Sequence, residues 1–555
     1  MERPWLKSYP EGVRADIDIE INQYSSIIDI FEKSVQKFAD QPAFSNFGTT
    51  LSYSEFEQAT ACVASYLQNT LGLTKGDRVA IMMPNLLQNP VSIFGALRAG
   101  LTVVNTNPLY TARELRHQLK DSGAKAIIVV ENFAYTVQEV VSDTHVEHII
   151  VTKMGDMLDF PKSLLINLVV KYVKKMVPRF SLPNVISFKT VLSEGSKQDL
   201  TPMPLTHDDI AFLQYTGGTT GVAKGAMLSH KNMVANMLQA SEWIKNDVIP
   251  GKEIIITALP LYHIFSLTAN CMVFIQAGAE NVLITNPRDF KGFVKELNNI
   301  PFTAITGVNT LFNALINTPG FHDIDFSQLK ITLGGGMSVQ PAVAAQWKQI
   351  TGCTLVEAFG LTETSPAVCI NPLDLNAYNG SIGLPISSTY CKLIDNEGKK
   401  ITSDEAGELC VKGPQVMQGY WNLPEETANV FTKDAWLKTG DIAKMDGAGY
   451  FYIVDRIKDM ILVSGFNVYP NEIENVIVEH EGVLECGVIG VTDKKQGEAV
   501  KAFVVKKDKS LTEAELFEYC KKNLTAYKVP KKIVFIQELP KTNVGKVLRR
   551  ELKSL

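Results

Sequence analysis

The chain has 555 residues, of which 45% are hydrophobic and 20% are charged, and its net charge is −5. Its length predicts at least two domains, and its composition is that of a globular protein rather than a disordered chain. Because the charges form no basic block, a nucleic-acid partner is not expected.

The cysteines and the N-terminal residues indicate the cellular compartment in which the protein is expected. Eight scattered cysteines without a Cys-x-x-Cys pair match neither a zinc site nor a disulfide framework, and we expect a cytoplasmic protein. The first residues lack the apolar stretch of a signal peptide, and no run of about 18 apolar residues predicts a membrane-spanning helix.

An early segment has the pattern of a strand–helix–strand unit. Residues 101–104 predict a buried strand, and Thr111 with Glu114 predicts a capping box that opens a helix. Gly123 is expected to end this helix before a second strand at 126–130. Such units build parallel sheets flanked by helices.

Residues 163–177 break this alternation. They are mostly apolar, and Lys171, Lys174 and Lys175 are grouped at one end. One interpretation is a basic amphipathic helix that lies on a membrane surface. The other is a helix packed on its domain with a solvated lysine edge.

A glycine- and threonine-rich stretch, Gln214–Gly225, is the strongest local sign of a ligand site. Glycines let backbone N–H groups approach an anion, so a polyphosphate is the expected ligand. The spacing excludes a Walker A loop, because Ala223 precedes the lysine and Gly225 follows it. The alternative interpretation is a surface turn. The candidate contacts are Thr216, Gly217, Gly218, Thr219, Thr220, Gly221 and Lys224.

Three shorter segments have the chemistry to complete a nucleotide site. The glycines of 334–337 allow close approach to a flat ring or an acyl group. Phe359 offers a face for adenine, and Glu363 offers a carboxylate for Mg²⁺, which prefers one or two carboxylates plus phosphate oxygens. Asp441 follows a tight turn where it suits ribose hydroxyls, although a lone Thr-Gly-Asp triplet is more often only a turn.

The last hundred or so residues predict a smaller α+β unit. Strands are expected at 485–491 and 501–507, and Thr512 with Glu515 predicts a second capping box. A lysine-rich tail follows.

In this order, the segments resemble the adenylate-forming superfamily of acyl-CoA synthetases, luciferases and peptide-synthetase adenylation domains. The resemblance spans nearly the whole chain. It extends to Pro260–His263, similar to a segment near the acyl site, and to Pro540–Lys546, similar to a motif that ends in a catalytic lysine. Phe359 departs from the usual tyrosine, so the ring is kept and the hydroxyl is lost.

The resemblance implies a role for each matching residue. Catalysis would fall to Lys546, Glu363, Thr219, Lys224 and His263, with Mg²⁺ bound by Glu363 and Thr219. Ser464 and Gly465 would contact coenzyme A. Without the resemblance, Lys546 would be interpreted as a solubilising tail lysine. For His263 a core histidine is the alternative, although its neighbours Tyr262 and Phe265 suit the wall of an acyl pocket. The implied nucleotide contacts are Thr216, Gly217, Gly218, Thr219, Thr220, Gly221, Lys224, Gly335, Gly336, Met337, Glu357, Phe359, Gly360, Thr362, Asp441, Ile453, Arg456 and Lys546.

The fold implied by the resemblance is α/β. Residues 1–455 would form a large domain of βαβ-built sheets flanked by helices, with a β-barrel-like subdomain, and would hold the ATP and fatty-acyl sites. Residues 456–555 would form a small mobile α+β domain that carries the catalytic lysine. Lys458 would be the hinge about which this domain rotates between two reaction steps.

The substrate expectation comes from the subfamily. Residues 436–443 and 453–460 resemble the fatty acyl-CoA synthetase signature, and 105–110 and 463–472 are similar to bacterial long-chain fatty-acid–CoA ligases. The implied reaction makes acyl-AMP and pyrophosphate from fatty acid and ATP, then acyl-CoA and AMP. The alternatives are a medium-chain or aryl acid–CoA ligase, an acyl-AMP ligase without a CoA step, and a non-catalytic lipid-binding protein.

The expected partners follow from this reaction. They are a long-chain fatty acid, ATP, coenzyme A and Mg²⁺, with no nucleic acid. Contact with the inner face of the cell membrane would run through 163–177, and a homodimer is suggested by some relatives.

Overall fold

A computed structural model describes residues 2–216, 222–395, 397–401, 405–463, 466–493, 497–542, 545 and 547–555. Its strands are β1 Pro42–Asn46, β2 Thr49–Ser52, β3 Arg78–Met82, β4 Thr102–Asn105, β5 Ala126–Val130, β6 His148–Thr152, β7 Ile186–Ser187, β8 Ile210–Thr216, β9 Lys224–Ser229, β10 Ile254–Thr257, β11 Glu280–Leu283, β12 Ala304–Gly307, β13 Ile331–Gly334, β14 Leu355–Gly360, β15 Ala367–Ile370, β16 Leu384–Pro385, β17 Tyr390–Ile394, β18 Gly407–Lys412, β19 Leu437–Met445, β20 Phe451–Arg456, β21 Ile461–Val463, β22 Phe466–Val468, β23 Val483–Asp493, β24 Gly497–Lys506 and β25 Lys532–Ile536.

The α-helices connect and cover these strands. They are α1 Asp18–Ile21, α2 Ile27–Phe38, α3 Tyr53–Ser65, α4 Gln88–Arg98, α5 Ala112–Ser122, α6 Ala134–Gln138, α7 Lys162–Leu168, α8 Phe188–Gly195, α9 His230–Ile244, α10 Ile264–Ser266, α11 Val273–Gln276, α12 Phe290–Leu297, α13 Asn309–Ile316, α14 Pro341–Thr351, α15 Pro424–Val430, α16 Pro470–Val478, α17 Glu513–Asn523 and α18 Arg549–Leu552.

Two mostly parallel sheets form the large N-terminal part. One has the strand order β7-β6-β5-β3-β4-β8-β9, with only the β8–β9 pair antiparallel among its described strands. The other has the order β16-β15-β14-β13-β12-β10-β11-β1-β2 and is parallel from β14 through β1. Strands such as β5 are buried at every position, because helices cover both faces of parallel sheets.

The remaining strands form two smaller sheets. Strands β17 to β20 make a four-stranded antiparallel sheet, which corresponds to the subdomain expected to be barrel-like. The C-terminal strands have the order β22-β21-β24-β23, with β25 parallel to β24. Helices α16 and α17 pack their apolar sides on this last sheet. The α/β class, with a large part and a smaller C-terminal one, is therefore confirmed.

The predicted strand–helix–strand unit is confirmed in detail. The Glu114 amide donates to the Thr111 hydroxyl, and the Glu114 carboxylate accepts from the Thr111 amide at 2.9 Å. Gly123 ends α5 in the left-handed region at φ 60°. At the second predicted box, the Thr512 hydroxyl accepts from the Glu515 amide at 3.2 Å and opens α17.

The segment predicted as an amphipathic helix at 163–177 forms α7 and one further wide helical turn, Val169–Val173. Its inner side is attached to the domain: Asn167 accepts from the Gly155 amide at 2.8 Å, and Val170 is buried. Its outer side is apolar as well as basic, contrary to a purely solvated lysine edge. The exposed apolar residues here are Phe160, Leu164, Leu165, Leu168, Val169, Tyr172, Val173 and Met176.

None of the helices within the described ranges is long and apolar enough to cross a membrane.

Candidate active site

The candidate site lies where three neighbouring parallel strands end. Gly307 and Gly334, the last residues of β12 and β13, lie side by side with Glu357 of β14, which continues to Gly360. The chain then turns across this edge, where the Gly335 amide donates to the Gly307 carbonyl at 3.1 Å. In open α/β sheets, ligands bind in the crevice outside the carboxyl ends of the strands.

An apolar cavity that is partly open to solvent begins at this edge. Predicted site residues His263, Gly335, Gly336, Phe359, Gly360 and Thr362 line it. Its other walls are mostly aliphatic and aromatic, including Ile244, Val273, Phe274, Ile331 and Leu373. Ligand sites are typically apolar clefts with a few polar groups that fix orientation.

The glycines of the predicted ring-binding segment are required by close packing. A Cβ atom added to Gly335 would lie 3.0 Å from the Phe265 ring and 3.3 Å from the Ala358 carbonyl oxygen. Gly336 has φ +75°, a conformation that favours glycine. Met337 packs partly against the neighbouring core. The backbone can therefore form the cavity wall itself.

His263 stands at the start of α10 rather than within a core. Its Nδ1 atom accepts from the Phe265 amide at 3.3 Å, so the ring caps this short helix while it lines the cavity.

Glu357 is a buried carboxyl group next to the glycine segment. Its Oε2 atom accepts from the Val339 amide at 3.1 Å and lies 2.8 Å from the Tyr378 hydroxyl. Burial raises the pKa of Glu357 to about 8, although both hydrogen bonds oppose the rise. The hydrogen bond from Val339 links β14 to the chain just after residues 334–337, the glycine segment. Glu357 therefore supports the cavity wall from its buried side.

Glu363 lies just beyond β14, and a tyrosine orients its carboxylate. The Tyr420 hydroxyl donates to Glu363 Oε1 at 2.6 Å, and the Met417 amide donates to the Glu363 carbonyl at 2.8 Å. One oriented carboxylate suits Mg²⁺ when phosphate oxygens supply most of its other ligands. The described residues contain no cluster of three or more His, Cys, Asp or Glu side chains able to hold a metal by themselves.

Thr216 and Lys224 bracket the predicted phosphate loop. They are directly opposite partners at the ends of the antiparallel β8–β9 pair. Lys224 forms an ion pair with Glu426, and its Nζ atom lies 5.3 Å from the centre of the Tyr420 ring. Gly217, Gly218, Thr219, Thr220 and Gly221 lie outside the described residues.

Tyr420 and Glu426 belong to a short segment that is attached to β9 through its backbone. The Met227 amide donates to Gly419 at 2.9 Å, and the Trp421 amide donates to Gly225 at 2.8 Å. This segment therefore brings the Tyr420 hydroxyl to Glu363 and the Glu426 carboxylate to Lys224.

Asp441 and Arg456 form a second charged pair near the end of the large part. They are opposite partners on β19 and β20, and Arg456 Nε lies 3.0 Å from Asp441 Oδ1. Asp441 is almost fully buried, whereas the Arg456 side chain is 39% exposed. Ile453, also on β20, packs against the core under this sheet.

The C-terminal part comes close to the large part near the site. Thr310 on α13 lies 3.5 Å from the Gly545 carbonyl oxygen. A Cβ atom added to Gly545 would lie 3.3 Å from Val308 Cγ2, and one added to Gly336 would lie 3.7 Å from Val308 Cγ1. Lys458 lies in the turn between β20 and β21. Lys546, Ser464 and Gly465 lie outside the described residues.

The sequence did not point to Tyr378, Tyr420 or Glu426. Each contacts a residue that is distant in sequence, and none belongs to a motif that spacing along the sequence reveals. The pairing of 418–421 with β9, formed between segments about 190 residues apart in sequence, brings Tyr420 and Glu426 to the site.

Comparison with known proteins gives a consistent result. The family model described as AMP-binding enzyme matches residues 31–421, and the one described as AMP-binding enzyme C-terminal domain matches 472–546. A long-chain-fatty-acid–CoA ligase of Escherichia coli O157:H7 is 56% identical over 555 residues, covering 100% of this chain and 98% of that protein.

Solved structures agree with the fold. The anthranilate CoA ligase AuaEII in complex with anthranoyl-AMP has a TM-score of 0.83 and 26% identity, over 96% of this chain and 97% of that one. ATP bound MatB from Rhodopseudomonas palustris has a TM-score of 0.81 and 27% identity, over 95% and 98% of the two chains.

Proposed function

Because this chain belongs to the AMP-binding enzyme family, we propose that the cavity and its charged neighbours perform the reaction of a long-chain-fatty-acid–CoA ligase. The first step joins the fatty acid to AMP and releases pyrophosphate, and the second transfers the acyl group to coenzyme A. The observation that carries this function is an apolar cavity that opens at the glycine segment and is lined by Thr362, the residue before Glu363.

The first step must overcome repulsion between a carboxylate and a polyphosphate. The carboxylate oxygen attacks the α-phosphorus, and the bond to pyrophosphate breaks. Lys224 and the loop of 217–221 would bind the phosphates, with positive charge and backbone N–H donors placed where negative charge accumulates. Mg²⁺, when bound by Glu363, Thr219 and the phosphates, supplies further positive charge.

The nucleoside would lie along the glycine segment. Phe359 offers its ring to adenine, and the backbone of Gly335, Gly336 and Met337 forms the facing wall. Asp441 would accept from ribose hydroxyls, and Arg456, its ion-pair partner, would hold the carboxylate in place. His263 would stand at the mouth of the acyl cavity.

The second step requires another arrangement of the chain. We expect residues 1–455 and 456–555 to be the two domains, with Lys458 as the hinge and Lys546 serving only the first step. The contact of Gly545 with Val308 and Thr310 supports this assignment, because it brings the chain next to Lys546 close to the glycine segment. Rotation would then carry Ser464 and Gly465 toward coenzyme A.

The direct test is turnover by the purified chain. With Mg-ATP and fatty acids of four to eighteen carbons, AMP and thioester should both form only when coenzyme A is present and should be greatest with long chains. Adenylate without thioester would instead indicate an acyl-AMP ligase, and a maximum at short or aryl acids would reject the long-chain assignment. No pyrophosphate release would reject ligase activity altogether.

The role of Lys546 is tested by separating the half-reactions. Lys546→Ala should slow adenylate formation by about 100-fold or more, because a positioned charge on the reacting groups is lost. Thioester formation from synthetic acyl-AMP should continue at nearly the normal rate. Equal losses in both half-reactions would contradict the assignment.

The outer side of the segment 160–176 suits an anionic lipid surface. Phe160 is 84% exposed and Val173 is 70% exposed, and Lys171, Lys174 and Lys175 are exposed beside them. Large apolar side chains with a basic border favour the interface of an anionic bilayer, from which a fatty acid can be collected.

Vesicle co-sedimentation tests this contact. Binding to vesicles that contain phosphatidylglycerol should fall at least severalfold in the triple variant Lys171→Glu, Lys174→Glu, Lys175→Glu. The matched control, Lys507→Glu, Lys509→Glu, Lys532→Glu, changes exposed lysines of the C-terminal part by the same total charge and should bind normally. Equal binding by both variants would reject the contact. The homodimer stays a prediction, which light scattering tests.

A further inference from the structure

The segment 419–427 contacts two charged groups of the candidate site, the Glu363 carboxylate and the Lys224 ammonium. Thr427 closes the segment into a compact turn, because its hydroxyl accepts from the Tyr420 amide at 2.8 Å and donates to the Leu423 carbonyl at 3.0 Å. Tyr420 then reaches Glu363, and Glu426 reaches Lys224. The position of Glu426 is therefore fixed relative to the loop.

Glu426 is ion-paired with Lys224, the positively charged side chain that would bind the polyphosphate. Lys224 is the loop's lysine, and its side chain is 20% exposed, whereas that of Glu426 is 44% exposed. Both side chains are therefore partly exposed to solvent, so an incoming phosphate can reach Lys224. The Lys224 ammonium, and less strongly the charge of Lys458, holds the pKa of Glu426 below its usual value, so this group is ionised at neutral pH.

An ionised carboxylate at this position opposes phosphate binding in either of two arrangements. If Lys224 turns to the phosphates, its ion pair with Glu426 is lost. If the pair persists, the carboxylate repels phosphates that share the same lysine. Both effects act on ATP and on pyrophosphate, and neither acts on the uncharged acyl chain in its cavity.

We propose that Glu426 is a built-in competitor for the polyphosphate, which weakens the binding of ATP and pyrophosphate by holding Lys224 and thereby speeds pyrophosphate release. The proposal rests on the proposed function only in taking Lys224 as a phosphate-binding residue. Glu426 is a positioning residue in this scheme, since it acts through Lys224 rather than on the reacting atoms.

The chain provides a matched control beside the test residue. Glu425 precedes Glu426 on α15, is exposed, and has no ion pair among the described contacts. Glu425→Gln and Glu426→Gln therefore remove the same charge from neighbouring positions. Glutamine at 426 keeps the size of the side chain and its capacity to accept from Lys224, so only the charge is changed.

The experiment measures pyrophosphate binding to the full-length protein by calorimetry, together with KM for Mg-ATP and for fatty acid. Glu426→Gln should bind pyrophosphate about three- to tenfold more tightly, the effect expected for one partly screened charge, and should lower KM for Mg-ATP similarly. KM for the fatty acid should not change. Glu425→Gln should match the wild type in every measurement.

Three results would overturn the proposal. They are unchanged pyrophosphate affinity in Glu426→Gln, weaker affinity, which would make Glu426 a support for Lys224, and an equal gain in both variants, which would reflect net charge alone. The calorimetric comparison needs no acyl transfer. Failure of the wild type to make acyl-CoA would therefore reject the proposed function without being mistaken for failure of this inference.

Discussion

Two glutamates close together in sequence have opposite surroundings. Glu357 is buried among apolar neighbours, and its pKa is raised to about 8. Glu363 follows Thr362, which lines the cavity, and the Tyr420 hydroxyl donates to its carboxylate. Burial therefore makes Glu357 a protonated internal support, whereas the less buried Glu363 is the one proposed as a cation ligand.

Glu357 predicts a specific pH dependence of stability. In the folded chain its pKa exceeds the ordinary value of 4.5, so the folded state binds the proton more tightly than the unfolded state does. The free energy of unfolding should then fall as pH rises from about 4.5 to 8, by on the order of 5 kcal/mol from this group. Glu357→Gln should remove this part of the slope in urea unfolding between pH 5 and 8.5. Glu425→Gln is the control, and an unchanged slope in Glu357→Gln would contradict the prediction.

The Tyr420 hydroxyl predicts a defect limited to the cation and phosphate end of the site. Tyr420→Phe keeps the ring beside Lys224 and removes the donor to Glu363. Because groups that orient a metal ligand typically contribute 10-fold or more, adenylate formation at limiting Mg²⁺ should fall about 10-fold. Titration with Mg²⁺ should show a higher half-saturating concentration and an unchanged KM for fatty acid. A shift in the fatty-acid KM instead would indicate a disturbed cavity.

At the scale of elements, the sequence predicts features that depend on neighbouring residues, and it does not predict contacts between residues far apart in the chain. Thr111, Glu114 and Gly123 determine the ends of one helix through neighbours in sequence, so the sequence alone predicts them. The glycine segment and Phe359 were predicted from their chemistry and line one cavity. The contacts of Tyr420 and Glu426 depend on long-range pairing with β9, which no local pattern encodes.

The junction of the C-terminal part contains a partly buried ionic cluster. Arg549 on α18 lies 2.9 Å from Asp459 and 2.8 Å from Glu474, and 3.7 Å from the buried carboxylate of Asp455. Burial raises the pKa of Asp455 to about 6 despite this arginine. Three acidic groups thus share one cation.

Removing that cation should destabilise the C-terminal part. Arg549→Met leaves the acidic groups without their shared partner, which should cost about 3 kcal/mol of unfolding free energy. Chemical unfolding followed by hydrogen exchange in 470–555 measures the loss. Arg550→Met changes the exposed neighbouring arginine and should be nearly neutral. Equal stability of the two variants would contradict a structural role for the cluster.

At the scale of the whole molecule, the proposed reaction would use two arrangements of one chain. Lys458 lies in the turn that leads from the last strand of the large part to the first of the small one. A hinge needs only a few residues whose φ and ψ change. The proposed rotation therefore depends on local freedom of this turn.

Lys458→Pro should separate the two half-reactions. Proline fixes φ, so adenylate formation should continue near its normal rate while thioester formation from acyl-AMP is abolished. Lys458→Ala, which leaves φ free, should retain both half-reactions. Thioester formation at the wild-type rate in Lys458→Pro would exclude this residue as the hinge.

The attachment of 418–421 to β9 has a consequence for how the molecule behaves in solution. β9 is the outermost strand of its sheet, and an uncovered outer strand can pair with another molecule and begin aggregation. Here the backbone of 418–421 occupies that side of β9. The turn that supports Glu363 and Lys224 also shields the strand, so a change that opens it should cost solubility together with ATP turnover.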